Sequence, residues 1–392
     1  MDPKNTEPRD ARAAGLWLLL CLVTLGTVLG QSAPGEALGM GVLALVLVAW
    51  SSRVILWWRY DPMEPTPEEL SDLPTLTVVI PAFNEGVGVA RAIESVLESD
   101  YPQERLHVIA VNDGSTDDTG AHIDRLATRW PQRVTAIHLP RNQGKRHALY
   151  AGHSRAASEI VATLDSDSQL LPHSLSHLVT PLVRDPEVAG VAGKVLAMNR
   201  RENLLTRMLG VRYILGFDFV RAYQSQLRTV WCCPGALQAY RRDLIAPHLE
   251  AWRDQRFLGA RCTNGDDHAM TNLVLSLGHS TVYQSNAEVR TVVPSAYGKL
   301  CRMYTRWGRS ATREGLRALA FAGDRALSLG PVRGSLMLLD ALLQPLTIAA
   351  RLVGLGAMMW LLYAHPMMVV SSAVVTTLVA VAYAVIFLRS ER

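Results

Sequence analysis

Thr163-Leu164-Asp165-Ser166-Asp167-Ser168 closes a short apolar run, Ile160 to Leu164, with two carboxylates one residue apart. A buried strand delivers acidic side chains to the edge of a sheet in this way. Alternate residues of an extended chain point to one side, so Asp165 and Asp167 can reach one ligand. Two hard carboxylates suit a divalent cation, Mg2+ or Mn2+, which in turn holds phosphate oxygens. In isolation the pair reads more readily as a helix-capping Asp beside a solvated one than as a metal site. The surrounding sequence has to decide.

Upstream, apolar runs alternate in period. The spacing predicts strands at 76–81, 107–111, 134–139 and 160–164, and helices at 89–97, 123–130 and 147–157. Such alternation over about 90 residues implies a parallel α/β sheet. Ligands of these sheets bind outside the carboxyl ends of the strands. Asn84, Glu85, Asp113 and the Asp165/Asp167 pair all fall at such ends, so one crevice should gather them. Residues 61–74, rich in Pro and Glu, read as a linker before the first strand.

Composition divides the rest of the 392 residues. The net charge of +4 is small, and the absence of a Lys/Arg block argues against a nucleic-acid partner. Five cysteines without a CxxC pair argue against zinc and fit reduced thiols in a cytosolic compartment. Apolar residues concentrate at the two ends. Residues 14–30 and 37–58 are each close to the ~20 residues that cross a bilayer. A cleaved signal peptide competes for the first run, but a second membrane-length run follows at once. Residues 345–364 and 367–388 repeat the pattern, with 334–344 as an interfacial lead-in. Lys4, Arg9, Arg12, Arg53, Arg59, Arg389 and Arg392 flank the runs, and the short loops between paired runs carry no Lys or Arg. The expectation is a multi-pass plasma-membrane protein with four spans and both termini and the middle cytoplasmic.

The motifs Val79-Ile80-Pro81-Ala82-Phe83-Asn84-Glu85, Asn112-Asp113-Gly114-Ser115 and Asp165-Ser166-Asp167 together resemble the family 2 inverting glycosyltransferases. Gly144-Lys145-Arg146, Cys233-Pro234-Gly235-Ala236-Leu237-Gln238-Ala239-Tyr240-Arg241, Gly265-Asp266-Asp267-His268 and Thr305-Arg306-Trp307 extend the likeness over residues 75–315. The resemblance is to the processive branch typified by hyaluronan and chitooligosaccharide synthases. It implies an α/β fold: a GT-A nucleotide-sugar-binding domain between N-terminal and C-terminal transmembrane hairpins. The expected layout is 1–60 tail and two spans, 61–74 linker, 75–300 catalytic domain, 301–344 Arg-Trp motif and interfacial amphipathic helices, and 345–392 two spans.

The resemblance also implies roles. Pro81, Asn84, Glu85, Asp113, Lys145, Arg146, Asp165 and Arg306 would bind the UDP-sugar donor. Asp167, with Asp165, would ligate the metal. Asp267, or failing it Asp266, would take the proton of the acceptor hydroxyl, with an N-cap as the plain structural reading. Gly235, Ala236, Leu237 and Trp307 would meet the growing polysaccharide acceptor. For Lys145 and Arg146 the sequence leaves a diphosphate clamp and a helix start equally open. Met303 departs from the family signature, which has Gln there. Arg302, Arg306, Arg309, Arg313 and Arg317 read as one face of an amphipathic helix on the lipid bilayer or as a solvated helix face, and Asp340, Gln344 and Arg351 as the lining of a sugar path or, for Arg351, as a side chain snorkelling to the cytoplasmic surface.

The activity implied is polymerisation of UDP-GlcNAc, with UDP-GlcA if the product is hyaluronan. Transfer of one sugar to polyprenyl phosphate and an inactive membrane scaffold or glycan-binding subunit are the rivals. Four spans are few for a wide pore, so a homodimer or partner protein is expected to complete it.

Overall fold

The computed structural model describes residues 50–342 and the single positions 363, 381, 384 and 387. The chain divides into two compact units, Met1–Tyr60 and Asp61–Arg392. Of the first, residues 50–58 form a helix. Among the described residues no helix is long and apolar enough to cross a membrane. The expected spans at 14–30, 345–364 and 367–388, and most of 37–58, lie outside the described residues.

The alternating pattern folds as expected. β1 (Leu76–Ala82), β2 (Leu106–Asn112), β3 (Val134–His138) and β4 (Ile160–Leu164) form a parallel set in the order β3-β2-β1-β4. β1 is buried along its whole length, as a strand covered on both faces must be. Pro81 is tolerated inside it because pairing with β4 ends at Val79–Thr163, where the missing N–H has no ladder to break. Helices α1 (Val87–Leu97), α2 (Thr119–Arg129) and α3 (Lys145–Arg155) make the crossovers. Gly152 lets α3 approach β1 closely: a methyl there would lie 2.3 Å from Val79 Cγ1.

Beyond β4 the sheet becomes mixed, which the strand pattern upstream did not reveal. β5 (Ser168–Leu170), α4 (Ser174–Arg184), β6 (Val188–Ala197), α5 (Leu204–Ile214), β7 (Leu237–Arg241), α6 (Asp266–Ser276) and β8 (Ser280–Thr291) follow. The full order is β3-β2-β1-β4-β7-β6-β8-β5, with β7 antiparallel to both neighbours. After α5 a π-helical turn, Leu215–Arg221, swings Asp218 inward. Its carboxylate accepts from Tyr283 Oη at 2.7 Å and pairs with Lys194 Nζ at 3.1 Å.

Two expectations change here. The 61–74 segment is not a bare linker: Pro67–Ser71 is helical, capped by Thr66, and Arg184 grips Glu69 through two bonds at 2.6 and 2.7 Å. Asp340 does not line an open path. It is buried and accepts from Tyr223 Oη, Gln224 Nε2 and Trp231 Nε1 at 2.9–3.1 Å. It thereby anchors the helix at 331–342, whose Met337 and Ala341 pack with Trp231, Leu275, Ala318 and Ala322. The preceding helix, α7 (Tyr297–Ser328), leaves Arg302, Arg306, Arg309, Arg317, Leu316 and Leu319 exposed, but turns Arg313 towards the protein.

His153 on α3 and His268 on α6 are buried, and burial first of all pushes each imidazole down to about 4. The folded chain therefore keeps both neutral where the unfolded chain, with pKa near 6.5, takes up protons. Stability should be flat above about pH 7 and fall as pH drops from 6.5 towards 4, by about 2 kcal/mol per histidine at pH 5. Denaturant unfolding of the purified protein at pH 7 and pH 5 checks this. His153→Asn should flatten the slope.

Candidate active site

The site is built at the carboxyl ends of β1, β2 and β4, where strand order reverses about β1. After β1 the chain turns at Asn84, whose φ of +55° suits an asparagine. Asn84 N donates to Ser115 Oγ at 3.0 Å, and its Oδ1 accepts from Thr116 N at 2.9 Å. Asn84 thus ties the loop after β1 to the loop after β2. Asp113, 2% exposed, accepts from Gln143 N and Gly144 N, each at 2.8 Å. Both its carboxylate oxygens hold the loop that leads into α3.

That hold sets the direction of Lys145. Its Nζ is paired with Asp165 and lies 3.9 Å from Asp266 Oδ2. Burial opposes the ammonium, yet Asp165 and Asp266 outweigh it and raise its pKa. Arg146, one residue on, points elsewhere, since successive helical side chains diverge by about 100°. It is buried and donates to Trp252 O at 2.8 Å, Gln255 Oε1 at 2.6 Å and Asn264 O at 3.3 Å. Of the two openings the sequence left, Lys145 faces the carboxylates and Arg146 does not.

Asp167 is exposed at the crevice mouth and accepts from Ser168 Oγ and Thr291 Oγ1, both at 3.2 Å. The low-dielectric walls first of all, then Asp165, push its carboxyl up. Glu85 is pushed up to about 7, by burial and then by Asp167.

Asp266 and Asp267 open α6 after Gly265, whose φ of +72° makes the turn. Asp267 Oδ1 accepts from His268 N at 2.8 Å inside the first turn, but Gly265 is the N-cap, so this local bond stands in place of the expected N-cap role. It does not exhaust the residue. Burial and then Asp266 push the Asp267 carboxyl up. Gly235 stands at the meeting point. A methyl built on it would lie 2.8 Å from Lys145 Nζ, 3.8 Å from Asp165 Oδ1 and 3.9 Å from Asp267 Cβ. Its neighbours differ: Ala236 is nearly buried, and Leu237, fully buried, is paired with Leu164 in β7–β4, so Leu237 is core rather than acceptor lining.

Trp307 is 40% exposed, with its ring 5.7 Å from Tyr304 and 6.3 Å from Tyr213. Tyr213, missed in the sequence, links this aromatic group to the carboxylates. Its phenol is pushed up by burial, then by Tyr304, Asp167 and Asp165. It comes from α5, whose sequence carries no motif. Met303, in the place of the signature Gln, is buried with Leu209 and Val293. Arg306 is exposed, and no described contact joins it to Asp165, Asp167 or Asp267.

The comparisons agree with this geometry. The family model described as glycosyl transferase family 2 matches residues 77–248. A hyaluronan synthase of Streptococcus pyogenes is 31% identical over 303 residues, 76% of this chain and 70% of that one. The chain belongs to glycosyl transferase family 2. An N-acetylglucosaminyltransferase of Rhizobium meliloti is 35% identical over 285 residues, 71% of this chain and 66% of that enzyme, so the chain spans just under two thirds of that relative. The fold of this family 2 glycosyltransferase is of the GT-A type. A mannosyltransferase of Pyrobaculum calidifontis, solved in complex with GDP-Man and Mn2+, superposes with a TM-score of 0.52 at 21% identity, covering 88% of this chain and 96% of that one.

Gly235→Ala should displace the Lys145 ammonium and cut sugar transfer by about a hundredfold, with melting temperature little changed. Radiolabelled donor turnover alongside thermal unfolding checks it.

Proposed function

We propose that this glycosyltransferase is a membrane-embedded synthase that polymerises UDP-sugars, UDP-GlcNAc with or without UDP-GlcA, by inverting transfer to a growing polysaccharide. The observation that carries the reading is the convergence of Lys145, Asp165 and Asp267 on Gly235. Leaving-group stabilisation and a base then meet at one point. The relatives named as hyaluronan synthase and N-acetylglucosaminyltransferase support the donor class.

In this reading Asp267 accepts the proton of the acceptor hydroxyl as that oxygen bonds to the anomeric carbon. The bond from that carbon to the diphosphate oxygen breaks on the opposite face, and UDP leaves with the electron pair. Asp267 is favoured over Asp266 because Asp266 is the more buried of the two, with its backbone carbonyl held by Trp252 Nε1 at 3.1 Å. Lys145 would transfer its charge from Asp165 to the departing diphosphate. Trp307 would offer its indole face to the acceptor pyranose.

A divalent cation fits the residues present. Among the described residues no set of three or more His, Cys, Asp or Glu side chains forms a closed metal cage. Mg2+ typically uses one or two carboxylates and completes its shell with phosphates and water. Asp165 and Asp167 would supply those two; burial first and neighbouring carboxylates second raise Glu85 and Asp167, and a cation would relieve the second of these. When bound, Mg2+ or Mn2+ would neutralise charge on the diphosphate.

Membrane attachment is supported by the outer face of α5. Leu204, Met208 and Val211 are exposed there, interleaved with Arg207 and Arg212, a face suited to an anionic lipid surface. In this reading the catalytic unit and both termini are cytoplasmic, and a second copy of the chain completes the export path.

Purified protein given labelled UDP-GlcNAc, with and without UDP-GlcA, should make polymer without a lipid carrier. Label appearing only on polyprenyl phosphate would sink the proposal. Asp267→Asn should keep UDP binding and lose transfer by about a hundredfold or more; full activity would remove Asp267 as base. EDTA should abolish turnover, and Mg2+ or Mn2+ should restore it.

A further inference from the structure

Outside the crevice, one carboxylate has no contact with water. Glu314, on α7, is 0% exposed. Its oxygens accept from Gln255 Nε2 at 3.0 and 3.3 Å, Asn272 Nδ2 at 3.3 Å and Arg313 Nε at 2.8 Å, with Arg317 Nε at 3.7 Å. Its backbone carbonyl takes a further bond from Asn272 Nδ2 at 2.9 Å. A charge so far from solvent persists only when paired and fully hydrogen-bonded. Packing α7 on α6 needs none of this, since Ala318 and Ala322 with Leu275 already do it with apolar contact.

The network has a common destination. Gln255 passes the bond on, its Oε1 accepting from Arg146 Nη1 at 2.6 Å. Arg146 Nη2 donates to Asn264 O at 3.3 Å, and Arg313 Nη2 donates to the same carbonyl at 2.5 Å. Arg313 Nη1 adds Asn264 Oδ1 at 3.2 Å. Trp252, whose ring lies 5.3 Å from the Arg146 guanidinium, donates Nε1 to Asp266 O. Between these held carbonyls sits Gly265, where a methyl would lie 1.9 Å from Ser310 Oγ on α7. Three elements thus close on residues 264–266, just before Asp267.

We infer that Glu314 is a positioning residue for the Asp266–Asp267 turn: through Gln255, Arg146 and Arg313 it holds the Asn264 carbonyl, and through Arg146 and then Trp252 the Asp266 carbonyl, so that the Asp267 carboxylate faces the crevice. Arg146 belongs to this hold, and the Gly-Lys-Arg stretch divides its work. Lys145 reaches forward to the carboxylates and Arg146 reaches back to fix the turn that carries the base. The inference rests on the proposed role of Asp267.

The test uses the full chain in detergent or proteoliposomes with two variants. Glu314→Gln places an amide N–H2 among donors. Arg313→Lys keeps a cation beside Glu314 but loses the two-point grip on Asn264. A misplaced base lowers kcat, by about a hundredfold for Glu314→Gln and about tenfold for Arg313→Lys, while donor KM and UDP binding stay near wild type. Restoration by Glu314→Asp of part of the lost kcat would support the hold. A purely structural Glu314 would instead lower melting temperature and active fraction together, with kcat per folded molecule unchanged, and that result overturns the inference. Hydrogen exchange at residues 264–268 reads the hold without turnover. It should quicken in Arg313→Lys, with β1–β4 unchanged, and unaltered exchange also overturns the inference. If Glu314→Gln does not fold, Arg313→Lys decides. Absent wild-type turnover with every UDP-sugar counts against the proposed reaction, and the exchange measurement still judges the turn.

Discussion

The ion pair between Lys145 and Asp165 is the interaction on which the site depends. Glu85, Asp165, Asp167, Asp266 and Asp267 are gathered at one edge of the sheet, and burial first, then neighbouring carboxylates, push the carboxyls of Glu85, Asp167 and Asp267 up. One ammonium in their midst relieves part of that cost. It has to arrive from a loop, and the loop is held by the Asp113 carboxylate through two backbone N–H bonds. The motif Asp in the loop after β2 thus acts at a distance: it shapes the segment that delivers the cation. What negative charge remains is what the proposed divalent cation would relieve before a diphosphate could be held beside it.

The same economy governs the far side of the crevice. An acidic helix N-terminus is an ordinary place for carboxylates, because the unpaired N–H groups and the dipole favour negative charge there. Here the turn before α6 is also clasped from three elements, and it carries a left-handed glycine into a gap with no room for a side chain. A surface cap needs no such support. Buried polar networks of this kind are costly when broken, so they hold one geometry and few alternatives.

The first half of the fold was legible in the sequence because its signals are local. β1 to β4 are short, apolar and separated by helix-period segments, and each expected boundary lies within about four residues of the observed one. The mixed half was not legible. β7 runs antiparallel between β4 and β6, and an antiparallel strand buried on both faces carries the same apolar signature as a parallel one. The Asp165-x-Asp167 spacing and the Gly265-Asp266-Asp267 turn could be read as site residues. The partition of Lys145 from Arg146 could not, because the direction of each side chain depends on where α3 docks. Tyr213 and Glu314 gave no signal at all: an aromatic and an acid within helices are ordinary until tertiary contacts bring partners to them.

By itself the sequence placed hard carboxylates at the strand ends of an α/β sheet. The class of chemistry came from the resemblance of its motifs, taken in order, to the family 2 glycosyltransferases. Only the tertiary structure decided which of these groups face each other. Asp113 and Arg146 turned out to hold backbone, and Leu237 to fill the core. Asp340, suspected of lining a path, proved to be an anchor for Tyr223, Gln224 and Trp231. The physical reason is the same in each case. Residue type sets what a side chain can donate, accept or carry, whereas its partners are fixed by contacts between segments tens to hundreds of residues apart.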